Sequence, residues 1–122
     1  MLGNLLVVDD QPEICELIET HLIEQGHHVI SVTDGVGARF VLSRQHIDLA
    51  IIDVLMPGEG GLSLAAWAAQ QGVRVLLISG HPSSMDPPAG PAPHPLLRKP
   101  FRLTDLNAAL ASLLDRPLST SH

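Results

Sequence analysis

Asp9 and Asp10 stand together at the end of the apolar run Asn4 to Val8, and Asp53 ends a second such run over residues 48 to 53. Ser79 follows a third, Val73 to Ile78, and Lys99, the only lysine in the chain, follows the short run Leu96-Leu97-Arg98. Continuous apolar runs of this length are how strands buried on both faces read. Parallel sheets gather their ligands at the carboxyl ends of the strands, so five polar groups from four strands converge on one edge. Three carboxylates held together repel unless a cation sits among them. Only oxygen donors are on offer at these strand ends, with no cysteine or histidine, which selects a hard ion, Mg²⁺ or Mn²⁺, that keeps several waters. A lysine and a serine hydroxyl are useless to the metal but suit a tetrahedral anion. The combination points to phosphoryl transfer, in which positioning and charge neutralisation do most of the catalysis. Asp53, on the middle strand of a 2-1-3-4-5 order, is the natural acceptor, since a carboxylate can carry a phosphoryl group as an acyl phosphate.

Each residue alone has a plainer reading. Asp9 and Asp10 could cap a helix, Asp53 could be a loop acid, Ser79 a turn hydroxyl and Lys99 a solvated charge. Their joint occurrence at successive strand ends is what carries the argument.

The elements that must position them follow from periodicity. Pro12 suits a first helical turn, Ile14, Leu17, Ile18 and Leu22 recur at helical spacing, and Gly26 offers a stop. Residues 28 to 33 read as a second strand, and 35 to 45 as a helix with Val36, Phe40 and Val41 on its stripe. Leu62 to Gln71 is an alanine-rich helix closed by Gly72, with Trp67 expected in the core. Thr104-Asp105 can cap a last helix carrying Leu103, Leu106, Leu110, Leu113 and Leu114. His27-His28 reads as a solvated turn, and Cys15 packs in the first helix. Strands alternating with helices over short loops imply a parallel sheet with right-handed crossovers.

With 122 residues there is room for one domain. Apolar residues at 45% and charged residues at 16% describe a globular core. A net charge of −6 argues against nucleic acid as a direct partner. A single cysteine and the lack of a leader peptide fit the cytoplasm. No apolar run approaches the roughly 18 to 20 residues of a membrane span.

Asp9-Asp10, Asp53 followed by Met56-Pro57 and Gly61, Ser79, and Lys99-Pro100-Phe101 together resemble the receiver domain of bacterial two-component response regulators, from about Asn4 to Leu114. The resemblance implies a flavodoxin-like (CheY-like), doubly wound α/β fold with a five-stranded parallel sheet of order 2-1-3-4-5. It implies that Asp53 accepts a phosphoryl group from a phosphohistidine on a sensor kinase or phosphotransfer protein. Asp10, Asp53 and the Leu55 backbone carbonyl would hold Mg²⁺, with Asp9 acting largely through water. Lys99 and Ser79 would engage the phosphoryl oxygens beside a small residue, Gly80, and a cis peptide before Pro100 would turn Lys99 into the site. Glu13, Ile14, Leu17, Pro100 and Phe101 would face the kinase. Residues 1–116 would form the receiver and 117–122 a polar tail with no output domain, making a stand-alone regulator that is no enzyme beyond its own phosphorylation and slow dephosphorylation.

The sequence departs from that family at Pro82 to Pro95. Each interior proline costs a helix about 3 kcal/mol or more, so a Pro-rich loop is expected in place of the fourth helix. Leu96 stands where the family commonly has an aromatic, and the chain has no tyrosine. An atypical output face follows, and an atypical homodimer is one arrangement that would cover the exposed sheet. Leu55 and His81 stand two residues beyond Asp53 and Ser79, where the family tunes hydrolysis. Leucine cannot orient a water, although a histidine at 81 could, and on balance a long-lived acyl phosphate is expected. The alternative is a receiver-fold binding module, not phosphorylated, that recognises partners through loop 82–95. A Mg²⁺-dependent phosphatase would want a second aspartate where Leu55 stands.

Overall fold

The computed structural model describes residues 3–56, 58, 60–80 and 94–115. Five parallel strands, β1 (Asn4–Val8), β2 (His28–Val32), β3 (Leu49–Asp53), β4 (Arg74–Ser79) and β5 (Leu96–Arg98), form one sheet of order β2-β1-β3-β4-β5. Among the described residues the helices are α1 (Pro12–Glu24), α2 (Gly35–Arg44), α3 (Gly61–Gln70) and α4 (Leu103–Asp115).

Alternation along the central strands divides the core in two. Leu5, Val7, Leu49 and Ile51 pack with Ile18 and Leu22 of α1 and with Leu106 and Leu110 of α4. Leu6, Val8, Ala50 and Ile52 face the other way, onto Ala38 and Val41 of α2 and Leu64 and Ala68 of α3. Burying each leucine or isoleucine in these layers contributes about 1.5–3 kcal/mol, which is why the buried stretches of β1 (Leu5–Val8) and β3 (Leu49–Ile52) are wholly apolar. The in-register pairs Leu6–Ala50 and Ile52–Leu77 bring the ends of β1, β3 and β4 level.

Helix ends follow local chemistry. Pro12 opens α1, and Asp34 caps α2 by accepting from Gly37 N at 2.7 Å. Gly26 and Gly72 close α1 and α3 with φ of 99° and 86°, conformations that cost other residues strain.

Three expectations need correction. Val36 and Phe40 do not face the core: they are 80% and 60% exposed, because the small residues Gly35 and Ala38, with Val41, make the packing face of α2. Phe40 instead lies under the Arg44 guanidinium, 4.5 Å from its ring centroid. His27 is buried, its Nδ1 accepting from Gly3 N at 3.1 Å, while His28 is exposed as expected. At α4, Arg102 rather than Thr104 precedes the first turn, and Asp105 reaches back to accept from Arg102 N at 3.1 Å. The stretch 82–95, read above as replacing a helix, lies outside the described residues except His94 and Pro95, as do His81, Pro57 and the tail 117–122. Pro95 contributes its carbonyl, which accepts from Leu77 N at 2.9 Å and begins the β4–β5 pairing.

Candidate functional site

The carboxyl edge of the sheet collects the polar groups strand by strand. Asp9 extends the β1–β2 ladder by donating its N–H to Val32 O, and α1 starts so soon afterwards that the Asp9 carboxylate is fully enclosed. Its Oδ1 accepts from Gln11 N at 2.9 Å. Asp10, one residue on, is exposed. Asp53 ends β3 in register with Ile78, is 3% exposed, and accepts from Leu55 N at 3.2 Å through Oδ1.

The chain then doubles back so tightly that Gly61 N donates to Val54 O at 3.0 Å. A Cβ on residue 61 would collide with the Asp53 carbonyl oxygen and lie 2.7 Å from Val54 Cα, so only glycine fits there. On the other side, Lys99 N donates to Ser79 O at 2.8 Å, and the peptide between Lys99 and Pro100 is cis. Gly80 leaves room for the lysine stem: a Cβ there would be 3.1 Å from Lys99 Cδ.

The Lys99 amine ends 2.8 Å from Asp9 Oδ2 and 3.7 Å from Asp53 Oδ2, and donates to Gln11 Oε1 at 3.1 Å. Oxygens of Asp9, Asp10 and Asp53 all lie within 4.8 Å of one another. Three carboxylates around one ammonium leave negative charge uncompensated. Burial, and then the Asp9 charge, push the Asp53 carboxyl up to about 6, against the opposing pull of Lys99 and the Leu55 N–H. Asp9 Oδ2 is buried without a hydrogen bond and faces the charge of the Lys99 amine 2.8 Å away. An all-oxygen cluster with an unsatisfied buried oxygen fits a small hard dication.

Beside the acids opens a cavity of about 600 Å³ with Asp10, Asp53 and Lys99 in its lining and apolar walls from Ile14, Leu17, Leu55 and Phe101. Ser79 is buried at the end of β4 and does not line it, and Glu13 is exposed outside it. Cys15 packs under the site, with Sγ 3.2 Å from Asp9 O and its thiol pushed up to about 11 by burial and then by Asp9. The participant that sequence reasoning passed over is Gln11. Its only signal was that a lone lysine with three donors needs acceptors.

A parallel sheet of this order, wound on both faces by helices and bearing acids and one amine at its carboxyl edge, is the CheY-like form of the flavodoxin-like fold. The chain belongs to the response regulator receiver domain family, whose model matches residues 5–111. It is 34% identical over 119 residues to the transcriptional regulatory protein GltR of Pseudomonas aeruginosa, an overlap of 93% of this chain and 49% of that protein. It is 36% identical over 117 residues to the two-component response regulator PhoP of the same organism, covering 93% and 52%. The chain thus spans about half the length of the curated relatives it matches. Among solved structures it is similar to response regulator protein TrrA from Thermotoga maritima in complex with Mg²⁺ and BeF (27% identity, TM-score 0.80, covering 91% of this chain and 98% of that one). It shares the fold of chemotaxis protein CheY4 of Vibrio cholerae at 23% identity and TM-score 0.81, over 93% of this chain and 100% of that one. This is a receiver domain of two-component signalling. Among the described residues, no helix is long and apolar enough to cross a membrane.

Proposed function

We propose that Asp53 accepts a phosphoryl group from a phosphohistidine presented by a histidine kinase or a histidine phosphotransfer protein. The observation that carries this reading is the placement of a buried Asp53 carboxylate and the single lysine of the chain side by side in one open cavity. In the transfer, the phosphorus–nitrogen bond of the donor breaks with its electron pair going to the imidazole, and a bond forms between phosphorus and an Asp53 carboxylate oxygen. Asp53 must be ionised to attack, and at neutral pH it is, its carboxyl lying at about 6. Lys99 is close enough to Asp53 to pair with the phosphoryl oxygens, and Gly80 keeps its stem unobstructed. Ser79, whose carbonyl accepts from Lys99 N at 2.8 Å, would offer its hydroxyl to the same group.

Asp10, Asp53 and the Leu55 carbonyl would hold Mg²⁺ or Mn²⁺, with Asp9 behind them. Such an ion supplies neutralisation of the charge that builds on the phosphoryl oxygens. Ile14, Leu17, Pro100 and Phe101 make the apolar rim onto which a kinase or phosphotransfer helix would dock, with Glu13 exposed beside it. Residues 1–116 act as the receiver unit in the cytoplasm. Signalling runs through protein contacts with an atypical output face, because the β5 residue Leu96 is aliphatic and 41% exposed.

The test is incubation with Mg²⁺ and acetyl phosphate, followed by intact-mass measurement. One added phosphoryl group, lost with chelator and in Asp53→Asn, is expected. A chain that stays unmodified would contradict the reading and favour a binding module of receiver fold.

A further inference from the structure

The acid cluster does not account for all that Lys99 touches. Its amine donates to Gln11 Oε1 at 3.1 Å while lying 2.8 Å from Asp9 Oδ2 and 3.7 Å from Asp53 Oδ2. An ammonium has donors only, so the oxygen end of the Gln11 amide must face it. Gln11 occupies the N-cap position of α1 yet makes no capping bond with its side chain. Its backbone N–H instead donates to Asp9 Oδ1 at 2.9 Å. One residue therefore holds both halves of the Asp9–Lys99 pair, the carboxylate through its backbone and the ammonium through its side chain.

We infer that Gln11 is a positioning residue that holds the Lys99 amine on the Asp9 side of the site, leaving the Asp53 oxygen open to an incoming phosphoryl donor. The inference rests on the function proposed above. Asp53 offers the amine a second carboxylate, and the hydrogen bond it accepts from Leu55 N, at 3.2 Å, is long. Gln11, tied to Asp9 through its backbone, supplies the ammonium with a further acceptor without adding a fourth negative charge. Removing that acceptor lets the ammonium settle on Asp53 Oδ2, and a carboxylate covered by an ammonium is a weaker nucleophile.

Because Lys99 is the only lysine, lysine-selective ¹³C labelling of the whole chain gives a single side-chain Cε signal. Gln11→Met keeps the length and the backbone bond to Asp9 but removes the acceptor; Gln11→Glu keeps an acceptor. In Gln11→Met the Lys99 signal is expected to shift, and modification of Asp53 by acetyl phosphate with Mg²⁺ to slow about three- to tenfold. Gln11→Glu is expected to keep the lysine signal close to wild type, with the backbone amide spectrum unchanged in both. An unshifted lysine signal or an unaltered rate in Gln11→Met overturns the inference. A wild-type chain that takes up no phosphoryl group overturns the functional reading itself, a result distinct from a variant that behaves as wild type.

Discussion

Gly61 packs so closely under Asp53 that a single added methyl group would strike the Asp53 carbonyl oxygen. The first residue of α3 therefore fixes where β3 stops and where the Asp53 side chain begins. Gly61→Ala is expected to destabilise the protein by about 3 kcal/mol, since the obstacle is backbone and cannot rotate away. Urea denaturation of the variant against wild type measures it, and a loss within about 0.5 kcal/mol would show that the loop yields freely.

Asp53 makes a stability prediction with a definite sign. Burial and the Asp9 charge raise its carboxyl from the ordinary 3.8 to about 6 in the fold. Between those values the folded state binds the proton more tightly than the unfolded one, so stability contributed by this group falls as pH rises through that window. Above about pH 6 the buried charge is a standing cost. In chelator at about pH 7.5, Asp53→Asn is expected to be more stable than wild type by about 2 kcal/mol, with the gain gone near pH 4. Thermal melts at both pH values check this, and a variant less stable at the higher pH would contradict it.

Lys99 is the counter-ion of a fully buried carboxylate. Lys99→Met is expected to cost about 2–4 kcal/mol in metal-free buffer, because Asp9 is left charged and unpaired. Adding Asp9→Asn should restore most of that loss. Chemical denaturation of the two single variants and the double variant measures the coupling.

Leu55 lines the cavity two residues beyond Asp53 and is 44% exposed, and its side chain can neither accept a hydrogen bond from a water nor donate one to it. Phosphate release from the loaded domain is expected to take minutes or longer, and Leu55→Asn to shorten it several-fold. Following inorganic phosphate after removal of the donor decides it.

Leu17 is half exposed on the cavity rim. Leu17→Ala is expected to slow phosphoryl uptake from a histidine-phosphorylated protein about tenfold while leaving uptake from acetyl phosphate unaltered, as loss of apolar docking surface alone would do. Equal effects on both donors would place Leu17 in support of the site rather than of docking.

The central strands are legible because β1 and β3 are buried on both faces and a charged residue appears only where each ends. That one rule places Asp9, Asp10 and Asp53 at the strand ends from the sequence alone. The outer helix α2 was less legible. Its inward positions are small, Gly35 and Ala38, so hydrophobic size favoured Val36 and Phe40, which face solvent. His27 was missed because its burial depends on one backbone donor, Gly3 N, that is distant in sequence. Gln11 was missed for the same physical reason: its partner Lys99 lies 88 residues away. Hydrogen bonds between side chains brought together only by the sheet leave no periodic trace in the chain.

The most direct measurement is to load the protein with Mg²⁺ and a phosphodonor, reduce it with borohydride, and sequence the peptides by mass spectrometry. An acyl phosphate on Asp53 is converted to homoserine, so homoserine at position 53 and nowhere else is the result expected. An intact Asp53, or a label carried by another residue, would contradict the account.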